Sequence, residues 1–272
     1  MKVSRQQQIR TLKKAIKNEW YPDKLFKQQC LLDRLIMEEQ SSTVMKGNKS
    51  VNGEINMIKS LPQLEIKDEE NKFLSIVGDT FVEYLNSGAR SNKKTLVLHT
   101  GLKNLIQAQL PGYIVVIEEN VKSINSSGKK SCDIVAYKDG VPSIIFPVKN
   151  IMTNYCQNKN NSWENLTGEI VHLKKANEDI HIIPINIIFN SIPYCERSKQ
   201  IKHFESIEYK KTYKITENLV KWGFASDIIN YIIDVNHLCC VKGIYDKCPE
   251  IIGFSSETPY RNLQGIFSPI IQ

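Results

Sequence analysis

The stretch SCDIVAYKDGVPSIIFPVKN, residues 131–150, has the pattern of two apolar strands joined by a tight turn. Asp-Gly at 139–140, between two apolar runs, is a strong local signal for a β-hairpin. A turn at these two residues predicts that position 133 pairs with position 146 across the hairpin. Lys149 then lies just beyond the partner of Asp133, so we expect an acid and an amine to meet at one end of the hairpin.

The regions on either side of this hairpin predict further strands and helices. Residues 68–88 predict a helix, because acidic residues fill the first turn and a glycine follows the end. Residues 111–121 predict a strand. Residues 161–177 predict a helix capped by Asn161 or Ser162.

The last third of the chain completes the predicted fold. Residues 179–190 are too apolar for a sheet with one solvated face, which predicts a central strand covered on both faces. Beyond residue 195 the pattern predicts helices, notably at 217–223 and 225–239. The fold class expected from this order is α/β, with a central mixed β-sheet flanked by helices.

The N-terminal part of the chain has a different pattern. Residues 1–62 predict a helical region, because apolar residues recur there at three-and-four spacing, and Leu61-Pro62 is a plausible boundary. Residues 63–272 then form the α/β domain. The basic N-terminus has no apolar core, so it does not resemble a secretory signal.

Composition restricts the classes of function. The chain has 272 residues and a net charge of +7, spread along its length, which suits a broad surface for a polyanion such as nucleic acid. No apolar run approaches the roughly 20 residues that span a bilayer. No glycine-rich phosphate loop occurs, so no nucleotide cofactor is expected. Seven cysteines, mostly in apolar stretches, predict buried free thiols and a cytoplasmic location.

The acid and the lysine of the hairpin indicate a specific chemistry. A carboxylate and an amine inside an apolar hairpin are unfavourable unless they are paired or have a task. The oxygens of Asp133 suit Mg²⁺. Lys149 suits a group that orients or deprotonates an attacking water and stabilises the charge that develops on phosphorus. The alternative is a salt-bridged or solvent-facing pair at the strand ends.

At these residues the chain resembles the PD-(D/E)XK nuclease superfamily, and in particular type II restriction endonucleases. Asp133 matches the first acid of that pattern and Lys149 its final lysine. The usual second acid is replaced by Pro147, which cannot bind a metal. The segment WENLTGE, residues 163–169, resembles a branch that includes cutters of CCGG and CCNGG-type sites, in which this acid lies on the following helix.

The resemblance implies a restriction-endonuclease-like fold and a set of catalytic residues. Asp133 and Glu169 would bind Mg²⁺, and Lys149 would act on the water. Glu164 is the alternative second acid, because its spacing from the lysine is closer to that of the family. Glu83 is a candidate for the extra glutamate that this fold often carries on the helix before the sheet, and the alternative is an exposed helix carboxylate.

The function implied is a sequence-specific, Mg²⁺-dependent endonuclease that cuts double-stranded DNA. A homodimer is expected, because palindromic sites mirror two-fold symmetry. Amide and lysine side chains read adenine and guanine edges, so a polar segment before the predicted helix is the expected base-reading element, unless it is only a solvated loop. Its residues are Asn154, Gln157, Asn158, Lys159, Asn160 and Asn161. The alternatives are a non-catalytic nucleic-acid-binding module and a structure-specific repair or junction nuclease.

Overall fold

The structure, a computed structural model, describes residues 66–196 and 199–271. The predicted N-terminal helices and their boundary near residue 62 lie outside these residues. Within the described ranges, no helix is long and apolar enough to cross a membrane.

The described chain contains five helices and ten strands. The helices are α1 (Ile66–Ser87), α2 (Lys93–Gln109), α3 (Tyr155–Ala176), α4 (Tyr209–Lys221) and α5 (Leu263–Phe267). The strands are β1 (Ile114–Lys122), β2 (Lys129–Lys138), β3 (Val141–Phe146), β4 (Val148–Asn150), β5 (His181–Ile182), β6 (Ile185–Phe189), β7 (Ser191–Cys195), β8 (Ile201–Ser206), β9 (Ile229–Asn236) and β10 (Glu250–Phe254).

The strands form mixed sheets, as the sequence predicts. Two four-stranded sheets have the orders β1-β2-β3-β5 and β10-β9-β6-β4, and β7 and β8 form a separate ribbon. Pro147, which has no N–H to donate, separates β3 from β4 along the chain. Hydrogen bonds continue across this break, because Ile183 N–H donates to Ile145 at 2.9 Å and Ile185 N–H donates to the Pro147 carbonyl at 2.8 Å.

Helices cover both faces of the sheet that contains β9. Neighbouring residues of a strand point to opposite faces. On one face, Tyr231 of β9 packs against Phe73 of α1, with ring centroids 5.2 Å apart. On the other, Asn230 lies within hydrogen-bond distance of Thr216 on α4. The α/β architecture with helices on both sides is therefore confirmed.

One predicted element, the helix of residues 68–88, is confirmed almost residue for residue, and the predicted central strand is confirmed in part. Helix α1 ends at Ser87, and Gly88 follows it with a φ of 85°. Strand β6 is buried at every position and lies between β9 and β4. The apolar run of residues 179–190 therefore contains the predicted central strand as β6, but its first part forms the separate short strand β5, which pairs with β3 in the other sheet.

The hairpin turn is confirmed, but its register is shifted by one residue. Asp139 and Gly140 both have positive φ, as a two-residue turn requires. Ser143 has no partner on β2, because Ala136 pairs with Ile144 and Tyr137 with Pro142. This bulge makes Ile134, rather than Asp133, the partner of Phe146.

The predicted start of the third helix is wrong. Helix α3 begins at Tyr155, two turns before Asn161 and Ser162. Its N-terminus is held by tertiary contacts, because the backbone N–H of Cys156 donates to the carboxylate of the buried Glu205 on β8 at 3.2 Å. Contacts of this kind leave no local signal in the sequence.

Three other predictions from the sequence are corrected. The segment 225–239 contains β9 rather than a helix, because a strand buried on both faces loses the alternation that identifies it. Strands β8 and β10 also lie where only helices are predicted, and α2 is an additional helix. The six described cysteines form no disulfide, but only Cys132 is buried, and burial raises the pKa of its thiol to about 12.

Two helical glycines give a matched test of this packing. A Cβ at Gly101 of α2 would come 2.5 Å from Ile76 Cγ2 on α1, whereas a Cβ at Gly168 of α3 would meet nothing within 4 Å. We expect Gly101→Ala to destabilise the protein by about 1–3 kcal/mol through overpacking. Gly168→Ala should stabilise it by about 0.5–1 kcal/mol, because alanine favours a helix. Urea denaturation measures both, and equal effects of the two substitutions would contradict the α1–α2 packing.

Candidate active site

Beyond Ile134, β2 no longer pairs with β3. There the side chain of Asp133, rather than the backbone of β2, accepts a hydrogen bond from the neighbouring segment. The pairing of β2 with β3 ends at Ile134 and Phe146, and the backbone of the next residue, Pro147, faces β6. The carboxylate oxygen Oδ2 of Asp133 accepts a hydrogen bond from Val148 N–H at 2.7 Å. One oxygen of Asp133 is thus held in place, and Oδ1 takes no part in this bond.

Lys149 follows at once on β4 and meets an acid from α3. Its Nζ lies 3.7 Å from Oε2 of Glu169, whose side chain is only 9% exposed. Lys130, on β2, places its Nζ at the same distance from the same oxygen. A buried carboxylate therefore lies between two amines, next to the point where the strands separate.

The surroundings of Glu169 disfavour its charged form. Burial raises the pKa of its carboxyl group, and the negative charge of Asp133 adds to this effect. The nearby charges of Lys149 and Lys130 act in the opposite direction without cancelling the rise. A divalent cation would relieve the repulsion between the two acids, and carboxylate oxygens are the ligands that Mg²⁺ prefers. The donor set therefore fits a hard divalent ion.

A histidine and a second glutamate approach Asp133 from α2 and β1. Nδ1 of His99 lies 2.9 Å from Oε1 of Glu118, and Nε2 lies 4.0 Å from Oδ1 of Asp133. The His99 side chain is 2% exposed. Glu118 has a φ of 53°, a left-handed conformation that costs of the order of 1–3 kcal/mol in a residue other than glycine.

A cavity of about 180 Å³ opens beside these groups. It is lined by residues of α1, α2 and the segment that starts at β4. These are Thr80, Lys94, Thr95, Leu98, His99, Val148, Lys149, Asn150 and Met152. His99 and Lys149 therefore line the same cavity.

The structure brings together three of the five acids and bases that the sequence singles out. Lys149 and Glu169 are in contact, and the charge of Asp133 acts on Glu169. Glu164 is exposed, five residues earlier on α3, and forms no ion pair with a described residue. Glu83 is half-buried on α1 and does not line the cavity.

The six predicted base-reading residues do not form a loop before the helix. Five of them lie on the first two turns of α3, where Gln157, Asn158, Asn160 and Asn161 are exposed. Asn154 precedes the helix, and its side-chain amide makes two hydrogen bonds of 2.8 Å with the backbone of Cys195. It has a structural task, whereas the exposed residues of α3 are accessible to a ligand.

Three residues of the site are absent from the sequence prediction. His99 lies on α2, a helix that is not among the predicted elements. Glu118 lies on a predicted strand, opposite Asp133, because the flanking pairs are Ile117 with Ile134 and Glu119 with Cys132. Only the pairing of β1 with β2 would have indicated its proximity. Lys130 belongs to a run of basic residues that has no distinctive spacing.

No known protein family, curated protein or solved structure was found to match this chain.

The raised pKa of Glu169 predicts a pH-dependent effect on stability. Folding favours the protonated carboxyl group, so its stabilising effect is present below the unfolded pKa and is lost as the pH rises through the folded pKa. In chelator at pH 7, we expect Glu169→Gln to raise Tm by about 2–4 °C, which corresponds to about 1 kcal/mol in a domain of this size. The gain should shrink as the pH falls toward about 4.

The exposed Glu164 on the same helix is the matched control for this measurement. Glu164→Gln should leave Tm unchanged at both pH values, since an exposed carboxylate is well solvated in both states. A loss of stability in Glu169→Gln at neutral pH would mean that the two lysines stabilise the carboxylate more than burial disfavours it.

Proposed function

We propose that the protein is a Mg²⁺-dependent endonuclease that hydrolyses phosphodiester bonds of double-stranded DNA, as type II restriction enzymes do. The observation that carries the proposal is the contact between Lys149 and the buried Glu169, with Asp133 close enough for its charge to act on the same acid. These are the three residues that the resemblance to the PD-(D/E)XK nucleases selects from the sequence.

The position of the second acid is the critical point of the proposal. Pro147 excludes a metal ligand at the usual position, two residues before the lysine. Glu169 supplies a carboxylate from α3 instead, and its side chain is 9% exposed. A buried acid that is not neutralised by a single partner is unfavourable for folding, which supports a functional reason for its presence.

Asp133 and Glu169 would hold the Mg²⁺ ion. When bound, the ion supplies a Lewis acid that polarises the phosphate and lowers the pKa of a water ligand. The hydrogen bond from Val148 N–H keeps Asp133 in one orientation, so its free oxygen is in position before the substrate arrives.

Lys149 is the group that would act on the attacking water. Its amine lies 3.7 Å from Oε2 of Glu169, which holds the end of an otherwise flexible side chain. Lys130 is at the same distance from that oxygen and is 40% exposed, which suits a contact with the phosphate of a substrate strand. The two amines would together balance the negative charge of the reacting phosphate.

The substrate and assembly follow from charge and symmetry. A net charge of +7 favours a polyanion, and the exposed amides on the first turns of α3 are suited to base edges. Recognition of a palindromic site by one copy would cut one strand, so a homodimer is the assembly that cuts both. A cytoplasmic location would give the enzyme access to DNA.

Cleavage of a plasmid of known sequence tests the proposal. Asp133→Asn keeps an oxygen for Val148 N–H but weakens the metal ligand, so it should abolish cleavage while the fold is kept. Lys149→Ala should lower the rate by about 10²–10⁴-fold, as expected for the loss of a general base or acid. Glu169→Gln should behave like Asp133→Asn, and the control Glu164→Gln should cut as the wild type does.

The pattern of products separates the alternatives. Discrete fragments that require Mg²⁺ and vanish with chelator support a restriction enzyme. Cleavage confined to branched or damaged duplexes would indicate a structure-specific nuclease. DNA binding without any cleavage by the wild type would leave a non-catalytic binding module, and unchanged cleavage by Asp133→Asn would refute the assigned site.

A further inference from the structure

We propose that His99 Nε2 and Asp133 Oδ1 form a second cation site, which shares Asp133 with the proposed Mg²⁺ pair and takes a first-row transition-metal ion. Glu118 would be the positioning residue that holds the imidazole. The catalytic meaning of this site rests on the proposed function, but its ability to bind an ion does not.

The contact with Glu118 determines which ring nitrogen of His99 is available. A neutral imidazole donates from one nitrogen and keeps a lone pair on the other. Nδ1 lies 2.9 Å from Oε1 of Glu118, so we assign the proton to Nδ1 and the lone pair to Nε2. A carboxylate on the far nitrogen is the arrangement that orients metal-binding histidines in proteins.

The lone pair of Nε2 faces a second electron-rich atom. Oδ1 of Asp133 lies 4.0 Å away, beyond hydrogen-bond distance, and Nε2 forms no hydrogen bond within the described part of the chain. An ion about 2.0–2.2 Å from each of the two atoms would fit this separation. The other oxygen of Asp133 is held by Val148 N–H, which keeps Oδ1 in place.

The backbone of Glu118 is shaped for this contact. Its φ of 53° interrupts an otherwise extended strand at the position opposite Asp133. One ligand atom from each of His99, Glu118 and Asp133 can be chosen so that all three lie within 4.8 Å of one another. Three elements of the fold, α2, β1 and β2, thus bring His99, Glu118 and Asp133 together, with one carboxylate beside each nitrogen of the ring.

The nitrogen ligand decides the class of ion. Mg²⁺ prefers oxygen ligands, whereas imidazole favours first-row transition ions, in an order that rises from Mn²⁺, the weakest, through Co²⁺ to Cu²⁺. The chain would therefore present an oxygen-only site at Asp133 and Glu169 and a mixed site at Asp133 and His99. The competing structure is an imidazolium ion held between two carboxylates, which would leave no lone pair for a metal.

Pulsed EPR of Mn²⁺ added alone to the full chain tests the inference. We expect a nitrogen coupling on the bound Mn²⁺ that changes when the protein carries isotopically labelled histidine. This measurement on the wild type needs no variant to fold. Saturating Mn²⁺ without any histidine nitrogen coupling would overturn the site.

Variants then assign the coupling to one histidine. His99→Gln should remove it, whereas His203→Gln, at an exposed position on β8, should keep it. Glu169→Gln should also keep it, because the proposed second site does not use that acid. Loss of the coupling in His203→Gln instead would place the ion elsewhere.

The affinity for Co²⁺ tests the role of Glu118. Glu118→Gln should weaken Co²⁺ binding by about 10–100-fold, as the loss of an orienting carboxylate does. Mg²⁺ binding should change far less, and Glu164→Gln should change neither affinity. An unchanged Co²⁺ affinity in Glu118→Gln would refute the positioning role.

These results are separable from the proposed nuclease activity. A histidine-bound Mn²⁺ in a protein that never cuts DNA would support the second site and refute the proposed function. DNA cleavage without histidine coordination would support the proposed function and refute the second site.

Discussion

The hydrogen bond from Val148 N–H to the Asp133 carboxylate is the interaction on which the rest of the site depends. The pairing of β2 with β3 ends at Phe146, and the backbone of the next residue, Pro147, faces β6, where its carbonyl accepts from Ile185 N–H. Asp133 accepts the next available donor at 2.7 Å, and β4 then pairs with β6 in the second sheet. Lys149 follows directly on this point of separation, and its amine contacts Glu169 on α3.

The charges around this point work against stability, which supports our proposal that the cluster has a function. Glu169 is buried, and its pKa is raised despite the proximity of Lys149 and Lys130. Asp133 adds a like charge on the same side, and Glu118 is held in a strained backbone conformation. Each of these features works against stability in the absence of a ligand. A bound cation would offset the negative charges of the acids, and a phosphate would offset the positive charges of the two lysines. We therefore interpret the cluster as a catalytic centre.

The parts of the fold that the sequence predicts correctly are those with strong local signals. The Asp139-Gly140 turn, the stripe of helix α1 and the run of β6 each depend on residues within one segment. The failures depend on distant contacts. Glu205, on β8, extends α3 backward to Tyr155, and burial on both faces gives β9 the appearance of a helix.

The residues of the candidate site also divide into those that local sequence indicates and those that only distant contacts bring in. Asp133 and Lys149 share one hairpin, so their proximity is visible in the sequence. Whether Glu169 or Glu164 reaches Lys149 depends on which face of α3 is turned toward β4. The spacing along the chain alone would favour Glu164. His99 and Glu118 could not be predicted, because their approach to Asp133 requires the β1–β2 register and the packing of α2.

Anomalous diffraction from Mn²⁺-soaked crystals is the most direct measurement of the central claim, that Asp133 and Glu169 form a metal-binding cleavage centre. The account predicts a peak within coordination distance of a carboxylate oxygen from both residues. A second peak beside His99 would belong to the further site and does not bear on this claim. Well-occupied Mn²⁺ on the protein, with no ion in contact with both Asp133 and Glu169, would contradict it.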